Sequence, residues 1–366
     1  MAGKVKIGII GVGQIGKRHL DKYRDLPVEI VALADIDEPE GKRVGKVYAI
    51  PTVLTDFRKL LAIEEIQAVD VCVHNNLHAP MTIAALEAGK HVYCEKPIAG
   101  AYADGKAMVE AAKRTKRMLS IQLATLFAAE TRATQRLIEE GYLGDLYFAK
   151  SIGYRRRGRP YVDGYGTNFF VQKSIAAGGA MFDMGVYHIA QMLYLLGNPA
   201  VETVTGAAHQ AIDMYADRRK SGKYDVEELG LGFVRLAGGI SFAIEESWAL
   251  HIGEETGSKL FGSRGGVCLS PFSFHSTVAD MEMDATFDLK QADWRWHQCI
   301  ASTDAYDSPQ GHWVAALQGR APLVDTAGLA LATMLISEGI YLSGKLQKEV
   351  TAAEIEAQSK SSAIEV

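Results

Sequence analysis

A glycine-rich turn between a hydrophobic segment and a helical one constrains this chain most. Hydrophobic residues dominate positions 5–10 and predict a buried strand, and the turn that follows has glycine at positions 11, 13 and 16. Gly11 permits a tight turn, Gly13 leaves room for backbone to approach a pyrophosphate, and Gly16 lets the following helix pack closely on the strand. Phosphate groups bind at such helix N-termini because the first N–H groups are unpaired. The turn therefore predicts a dinucleotide-binding βαβ unit.

A second strand supports this prediction. Residues 28–34 have the pattern of a buried strand and end at Asp35, about 20 residues after Gly16, where an acidic side chain can hold the ribose hydroxyls of adenosine. The charge of Asp35 would repel a ribose 2′-phosphate, and Ile36 stands where an arginine could have paired with one. The pair of residues favours NAD over NADP as the cofactor.

Length and composition describe an ordinary soluble protein. The 366 residues exceed the size at which one hydrophobic core usually keeps growing, so two domains are expected. The net charge of −5 offers no basic surplus for nucleic acid. The N-terminus carries no apolar leader, and no uncharged run approaches the roughly 18 residues of a membrane span. We therefore expect a cytoplasmic protein without nucleic-acid or membrane partners.

The cysteines do not predict a metal site or a disulfide framework. They are scattered without CxxC spacing, and two of them lie inside apolar strand patterns, where a thiol usually acts as a small hydrophobic group. The four positions are Cys72, Cys94, Cys268 and Cys299.

Strand and helix patterns alternate up to about residue 125, which is typical of an α/β Rossmann domain with a parallel sheet covered on both faces. Cofactor and substrate should meet beyond the carboxyl ends of the strands, where Asn75 and Lys96 also lie. The remaining predicted strands of this region are 69–73, 91–94 and 118–123, and its helices include 80–88 and 103–115.

The pattern changes after residue 130 to that of an α+β domain with a mainly antiparallel sheet. We place the domain boundary so that residues 1–124 form the NAD-binding domain and residues 125–366 the substrate-binding domain. The tail after Ala352 is expected to be poorly anchored. The predicted helices are 130–140, 179–196 and 327–342, and the predicted strands are 202–208, 227–236, 240–248, 258–261 and 266–270.

Several motifs together resemble the Gfo/Idh/MocA family of oxidoreductases. They are the glycine-rich turn, the block 88–97 with its Glu95-Lys96-Pro97 end, and the block 178–187, followed by shorter matches at 247–248, 262–266 and 322–325. The resemblance implies a Rossmann domain followed by an open-faced sheet that mediates assembly into a homodimer or homotetramer. It implies NAD(P)-dependent oxidation or reduction of a sugar or cyclitol carbon, with Lys96 as the catalytic lysine and a cis Lys96-Pro97 bond.

Hydride transfer from a carbinol carbon needs a base for the hydroxyl proton and a group that stabilises the developing alkoxide. Lys96 can place positive charge near that oxygen. Asp183 and Tyr187 are four residues apart on a predicted helix and so share one face. Asp183 could orient a substrate hydroxyl, while Tyr187 transfers the proton. A phenol titrates near 10, so Tyr187 needs the nearby positive charge that Lys96 would supply.

His188 is the alternative proton donor and acceptor. Many family members carry histidine at the position of Tyr187, whereas a subgroup resembling glucose-fructose oxidoreductase and sugar ketoreductases carries tyrosine. One residue along a helix turns the side chain by about 100°, so Tyr187 and His188 should not both point at the substrate. The shared face with Asp183 favours Tyr187.

The four arginines at positions 155, 156, 157 and 159, and the aromatic and amide residues after them, suggest substrate contacts. They could clamp an anionic group or stack on a sugar, or the arginines could pair with acids at a subunit interface. The predicted substrate contacts are Lys96, Arg157, Tyr165, Asn168, Asp183 and Tyr187. The predicted cofactor contacts are Gly11, Gly13, Gln14, Ile15, Gly16, Asp35, Asn75, His78, Glu95 and Lys96.

These features predict an NAD-dependent oxidoreductase acting on a secondary hydroxyl or ketone of a sugar, glycoside or cyclitol. One alternative is a glycosidase or lyase in which tightly bound NAD oxidises the sugar transiently and reduces the product after elimination. Another is a non-catalytic NAD-binding regulator, although relatives of that kind tend to lose the catalytic lysine.

Overall fold

The computed structural model describes residues 3–253 and 257–366, which form two compact units. The strands are β1 (Val5–Ile10), β2 (Val28–Ala34), β3 (Thr52–Leu54), β4 (Ala68–Val71), β5 (His91–Cys94), β6 (Leu119–Ile121), β7 (Leu146–Tyr154), β8 (Val201–His209), β9 (Leu229–Leu236), β10 (Ile240–Ser247), β11 (Lys259–Gly262), β12 (Gly265–Leu269), β13 (Phe272–Val278), β14 (Met281–Ala285) and β15 (Val350–Thr351).

Helices connect and cover these strands. They are α1 (Gln14–Tyr23), α2 (Glu38–Val47), α3 (Phe57–Leu61), α4 (Asn75–Glu87), α5 (Tyr102–Thr115), α6 (Ala129–Glu139), α7 (Lys173–Ala176), α8 (Val186–Leu195), α9 (Ala216–Gly222), α10 (Leu289–Cys299), α11 (Pro309–Leu317), α12 (Thr326–Leu346) and α13 (Ala352–Gln358).

The first unit contains a parallel sheet with the strand order β3-β2-β1-β4-β5-β6. The predicted Rossmann architecture is confirmed. From β1 the sheet extends to one side through β2 and β3 and to the other side through β4, β5 and β6. Ligands of such sheets bind outside the carboxyl ends of the strands, at this switch point between β1 and β4. The loops after β1, β4 and β5 all begin at that edge.

Two later parts of the chain are grouped with the first unit, namely residues 300–328 and 362–366. The sequence analysis had placed both with the second domain. Trp313 is fully buried in the core beside Tyr93, and Thr326 Oγ1 accepts a hydrogen bond of 2.8 Å from the backbone of Ile121 on β6. These contacts depend on residues about 200 positions apart, which local patterns cannot reveal.

The C-terminal tail is anchored, contrary to the expectation from its sequence. Thr351 and Glu354 form a reciprocal capping box that starts α13. Beyond it, Pro80 in α4 has no N–H to donate to the carbonyl of Asn76, and the backbone N–H of Ile364 donates to that carbonyl at 3.2 Å. The tail therefore satisfies a backbone acceptor that a proline would otherwise leave unpaired.

The second unit contains a mixed sheet with the order β14-β13-β12-β11-β7-β10-β9-β8-β15. Only the β7–β10 pair is parallel among the recorded pairings, so the expected mainly antiparallel sheet is confirmed. Four strands of this sheet were not predicted from the sequence, namely β7, β13, β14 and β15.

The structure divides one predicted helix and places another, α12, largely in the protein interior. The helix predicted for 179–196 is a π-helical turn at Met181–Gly185 followed by α8. α12 is long and apolar enough to cross a membrane by length and composition, but 61% of its apolar window is buried inside the protein, as in the core helix of a soluble protein.

Trp313 provides a test of the grouping of residues 300–328 with the first unit. Trp313→Ala should lower the free energy of unfolding by about 3–5 kcal/mol, because it leaves a large cavity beside Tyr93. Trp313→Phe should cost much less, since it keeps a ring there and removes an indole N–H that has no partner among the described residues. Urea unfolding followed by circular dichroism measures both. Equal losses for the two variants would contradict the cavity explanation.

Candidate functional site

Two glycines of the first turn, Gly11 and Gly16, pack closely against backbone, and the third, Gly13, faces open space. Gly11 has φ +87°, and a Cβ there would lie 2.3 Å from the carbonyl oxygen of Cys72. A Cβ on Gly16 would lie 2.1 Å from the carbonyl oxygen of Gly11. Among residues 3–253 and 257–366, a Cβ on Gly13 would meet nothing within 4 Å, and no side chain caps the N-terminus of α1. The loop therefore presents unpaired N–H groups to open space, which fits a pyrophosphate.

Asp35 holds this loop in addition to its predicted role. Its Oδ2 accepts a hydrogen bond of 2.7 Å from the backbone of Val12, and its Oδ1 accepts one of 2.9 Å from Asp37. A carboxylate has further lone pairs, so ribose hydroxyls can still donate to it. Ile36 beside it is 92% exposed and carries no charge for a 2′-phosphate. Sequence reasoning missed the bond to Val12, although it did select Asp35.

Lys96 follows β5 at the switch-point edge and is half-buried. The Lys96-Pro97 bond is cis, as the resemblance implied. The backbone N–H of Lys96 donates to Glu95 Oε2 at 3.0 Å, and His78 Nδ1 lies 2.7 Å from the carbonyl oxygen of Pro97. Burial lowers the pKa of His78, which favours the neutral ring that donates to this carbonyl. Glu95 and His78 thus hold the turn that carries Lys96.

The other predicted cofactor residues occupy the same edge. Gln14 is the exposed first residue of α1, and Ile15 packs against the core beneath the loop. Asn75 is the first residue of α4 and follows the loop after β4. Direct contact of these residues, and of Glu95 and His78, with a cofactor stays a prediction.

Asp183 lies in the π-helical turn of the second unit. Its Oδ2 accepts a hydrogen bond of 3.0 Å from the indole N–H of buried Trp248, and Arg155 Nη1 lies 3.5 Å from the same oxygen. Arg155 also donates to the hydroxyl of Tyr165 at 2.6 Å. The carboxylate is therefore held in one orientation with a cation beside it, and it can accept from a hydroxyl group.

His188 is held by a carboxylate that sequence reasoning missed. Its Nδ1 lies 2.9 Å from Glu246 Oε2, and Ser151 donates to the other oxygen of this fully buried carboxylate at 2.7 Å. Burial alone would lower the pKa of His188, but the charge and hydrogen bond of Glu246 outweigh it and raise the pKa, against a smaller opposing effect of Arg155. The Nε2 atom has no hydrogen-bond partner among the described residues.

Space for this pair comes from Gly153 on β7, which lies opposite Glu246 on β10. A Cβ on Gly153 would lie 2.1 Å from Glu246 Oε2 and 2.5 Å from His188 Nδ1. The alternation of β10 could have placed Glu246 on its buried face. The glycine opposite it was not accessible to sequence reasoning, because β7 itself was not predicted.

Tyr187 is half-buried, and its backbone carbonyl accepts a hydrogen bond of 2.9 Å from Thr125. The expectation that Tyr187 and Asp183 share a face used the spacing of a regular α-helix. Because Asp183 lies in a π-helical turn, which closes i→i+5 hydrogen bonds, this spacing does not apply unchanged. The geometry within this unit thus leaves Tyr187 and His188 both as candidates for proton transfer.

The arginine segment pairs mainly with acids of its own unit. Arg159 is fully buried and bonds Asp163 and Glu228, so it is structural. Arg157 is exposed and lies 3.6 Å from Asp163. Tyr165 is exposed, although its hydroxyl is bonded to Arg155, and half-buried Asn168 begins a 3₁₀ turn. Substrate contact by Arg157, Tyr165 and Asn168 stays a prediction.

Comparison with known protein families shows which family the chain belongs to. The N-terminal region, residues 5–123, matches the "Oxidoreductase family, NAD-binding Rossmann fold", and residues 131–268 match the "GFO/IDH/MocA C-terminal domain". The chain belongs to the GFO/IDH/MocA oxidoreductase family. The resemblance drawn from the motifs is therefore confirmed, and NAD is the cofactor that this Rossmann fold binds.

Dehydrogenases that act on sugars, by their names, are similar to this chain over most of its length. D-glucoside 3-dehydrogenase of Escherichia coli is 30% identical over 73% of this chain and 77% of its own length. Levoglucosan dehydrogenase of Pseudarthrobacter phenanthrenivorans is 24% identical over 84% of this chain and 83% of its own. A solved structure of levoglucosan dehydrogenase in complex with NADH and levoglucosan has a TM-score of 0.77 at 20% identity, covering 95% of this chain and 99% of that one.

The contact between Glu246 and His188 makes a prediction about protonation. Glu246→Gln should lower the pKa of His188, because the buried negative charge that favours the imidazolium is lost. Glu245→Gln is the matched control, since Glu245 pairs with Lys150 and not with His188. NMR titration of the histidine ring nitrogens measures both variants. An unchanged His188 titration in Glu246→Gln would show that the carboxylate does not control this ring.

Proposed function

We propose that this protein transfers hydride between the nicotinamide of NAD and a secondary hydroxyl or ketone of a sugar, glycoside or cyclitol. The observation that carries the proposal is the position of Lys96. This residue follows β5 at the carboxyl ends of the parallel strands, where the glycine-rich loop after β1 also lies. The names of the similar family members, including glucoside and levoglucosan dehydrogenases, support the carbohydrate class of substrate.

Each residue has a distinct part in the proposed reaction. Gly11, Gly13 and Gly16 with the N-terminus of α1 would hold the pyrophosphate of NAD, and Asp35 the adenosine ribose. The bound nicotinamide supplies the acceptor or donor of hydride.

The protein supplies charge and proton transfer around the reacting alcohol. The ammonium of Lys96 stabilises negative charge that develops on the carbinol oxygen. Asp183, fixed by Trp248, accepts from a substrate hydroxyl and orients it. Tyr187 removes or delivers the hydroxyl proton, as the tyrosine-bearing subgroup of the family would, and His188 is the alternative. The presence of Lys96 opposes the reading of the chain as a non-catalytic regulator.

Lys96→Ala tests the assignment of the cation. Turnover should fall by at least about 10²-fold, because the developing alkoxide loses its stabilising charge. Binding of NADH, followed by its fluorescence, should persist because the glycine loop is untouched. Lys46→Ala, at the exposed end of α2, is the control. The substrate for this assay comes from an absorbance screen for NADH formation across cyclitols, aldoses, uronates and glycosides. Undiminished turnover in Lys96→Ala would refute the assignment.

Tyr187→Phe and His188→Asn together identify the proton-transferring group. If Tyr187 transfers the proton, its phenylalanine variant should lose about 10²–10⁴-fold in kcat, whereas His188→Asn should lose far less. The pH profile of kcat provides the second readout, and it should lose one limb only in the variant that lacks the acting group. A larger loss in His188→Asn, with the missing limb, would transfer the role to the histidine held by Glu246.

We also propose that the protein is cytoplasmic and forms a homodimer or homotetramer through the sheet of the second unit. Register and alternation place Phe148, Phe261 and Phe233 on the face of this sheet opposite to Glu246, and the first two stack with ring centres 5.3 Å apart. Phe233 is 40% exposed. An aromatic face of this kind supports self-association, and sedimentation velocity measures the mass.

A further inference from the structure

A buried charged cluster lies directly behind the glycine loop. His19 of α1 has its ring between two carboxylates, with Nδ1 2.8 Å from Asp70 Oδ2 and Nε2 2.8 Å from Glu95 Oε1. His19 is 3% exposed, Asp70 is fully buried and Glu95 is 8% exposed. Neither the sequence motifs nor the proposed reaction assigns a function to His19 or Asp70.

The two short contacts define the protonation state of the cluster. An ionised carboxylate only accepts hydrogen bonds, so both contacts are satisfied only when both ring nitrogens of His19 carry a proton. Burial alone would lower the pKa of His19, but the charge of Asp70 outweighs it and raises the pKa well above its ordinary value. Burial would raise the pKa of Glu95, but the bond to His19 and the charges of His19 and Lys96 hold it below its ordinary value.

The other groups around His19 are neutral. The hydroxyl of Tyr23 donates to Asp70 Oδ2 at 2.9 Å, and the thiol of Cys72 lies 3.3 Å from both Asp70 Oδ1 and His19 Nδ1. The ring of Tyr93 lies 5.7 Å from the ring of His19. Burial raises the pKa of Tyr23, Cys72 and Tyr93, so each keeps its proton. The cluster therefore contains one cation and two carboxylates.

A metal ion does not explain this arrangement as well as protons do. Ligand atoms of His19, Asp70 and Cys72 lie within 4.8 Å of one another. A metal would require an unprotonated ring nitrogen and a thiolate. The 2.8 Å contact between His19 and Asp70 is that of a hydrogen bond, and the raised pKa of Cys72 opposes a thiolate.

The cluster reaches Lys96 through Glu95. One carboxylate oxygen of Glu95 contacts His19, and the other accepts the backbone N–H of Lys96 at 3.0 Å. The Lys96 charge also favours the ionised form of Glu95. Because this interaction is mutual, the charge of Glu95 favours the ammonium form of Lys96 by the same amount.

We propose that His19 is a positioning residue for Lys96. The imidazolium of His19 keeps Glu95 ionised, and the Glu95 carboxylate in turn holds the Lys96 backbone and stabilises the Lys96 cation. The proposal rests on the proposed function of Lys96 in hydride transfer. Removing the imidazolium leaves two buried carboxylates without a cation between them, and such a pair takes up a proton. Asp70 still accepts from the hydroxyl of Tyr23 and the thiol of Cys72, whereas Glu95 loses its only side-chain donor among the described residues, so the proton goes to Glu95. Neutral Glu95 no longer provides the charge that favours the ammonium form of Lys96.

The experiment measures the titration of the Lys96 amine directly in the protein without added cofactor. Acetic anhydride reacts with the neutral amine, and mass spectrometry reports the extent at Lys96 as a function of pH. His19→Gln and Glu95→Gln should each shift the Lys96 titration to lower pH. The double variant should shift it no further than the larger single shift, because both changes act through one carboxylate.

Tyr23→Phe is the matched control, because it removes one hydrogen bond to Asp70 from the same buried cluster without changing charge. It should leave the Lys96 titration where it is in the unchanged protein. A shift in Tyr23→Phe equal to that of His19→Gln, or no shift in His19→Gln, would overturn the proposal.

Two further readouts keep the test decisive. If His19→Gln does not fold, Glu95→Gln carries the same prediction, and NMR of the unchanged protein should show an imidazolium at His19 at pH 8. A neutral ring there would overturn the proposal. Failure of the proposed function is distinguishable, since Lys96→Ala would then retain turnover whatever the titration of the Lys96 amine shows.

Discussion

Close backbone packing at the carboxyl ends of β1 and β4 is the constraint on which the first unit depends. Gly11 contacts the carbonyl of Cys72, and Gly16 contacts the carbonyl of Gly11, so α1 lies closer to the sheet than any side chain would allow. His19 is three residues after Gly16 and therefore lies on the same helix face. The close packing of α1 on the sheet, which leaves the loop open to phosphate, thus also places His19 between Asp70 and Glu95. The proposed pyrophosphate site and the proposed support of Lys96 therefore share one steric cause.

The second unit uses glycine in the same way beneath its candidate residues. Gly153 leaves the space that Glu246 and His188 fill, and Gly179 approaches the backbone of Glu227 so closely that a Cβ would lie 1.9 Å from its carbonyl oxygen. The buried carboxyl group of Glu227 accepts from the backbone of Gly179, at the start of the turn that carries Asp183. Burial raises the pKa of Glu227. At Gly153 the absence of a side chain lets the Glu246 carboxylate orient the ring of His188. At Gly179 it lets the Glu227 carboxyl group hold the start of the helical turn.

Local signals account for what sequence reasoning predicted. The glycine spacing and the acid at Asp35 identify the Rossmann unit, since each residue acts within a few positions of its neighbours. The supports of the site were not predictable in this way. Glu246 acts across from Gly153, 93 positions away on a strand that was not predicted, and Trp313 enters the first unit from the far end of the chain. The π-helical turn at Met181–Gly185 closes i→i+5 hydrogen bonds and so has more residues per turn than an α-helix, a difference too short to show in the hydrophobic pattern.

Charge within the second unit connects Asp183 with His188 through Arg155. Arg155 lies 3.5 Å from the Asp183 oxygen that Trp248 holds at 3.0 Å, and the same guanidinium opposes protonation of His188, which Glu246 favours. In the proposed reaction, a substrate hydroxyl that donates to Asp183 would share this carboxylate with the Trp248 N–H and the Arg155 guanidinium. Movement of Arg155 away from this carboxylate changes the field at His188. Arg155 therefore acts on both groups: it lies beside the carboxylate of Asp183, and its charge lowers the pKa of His188.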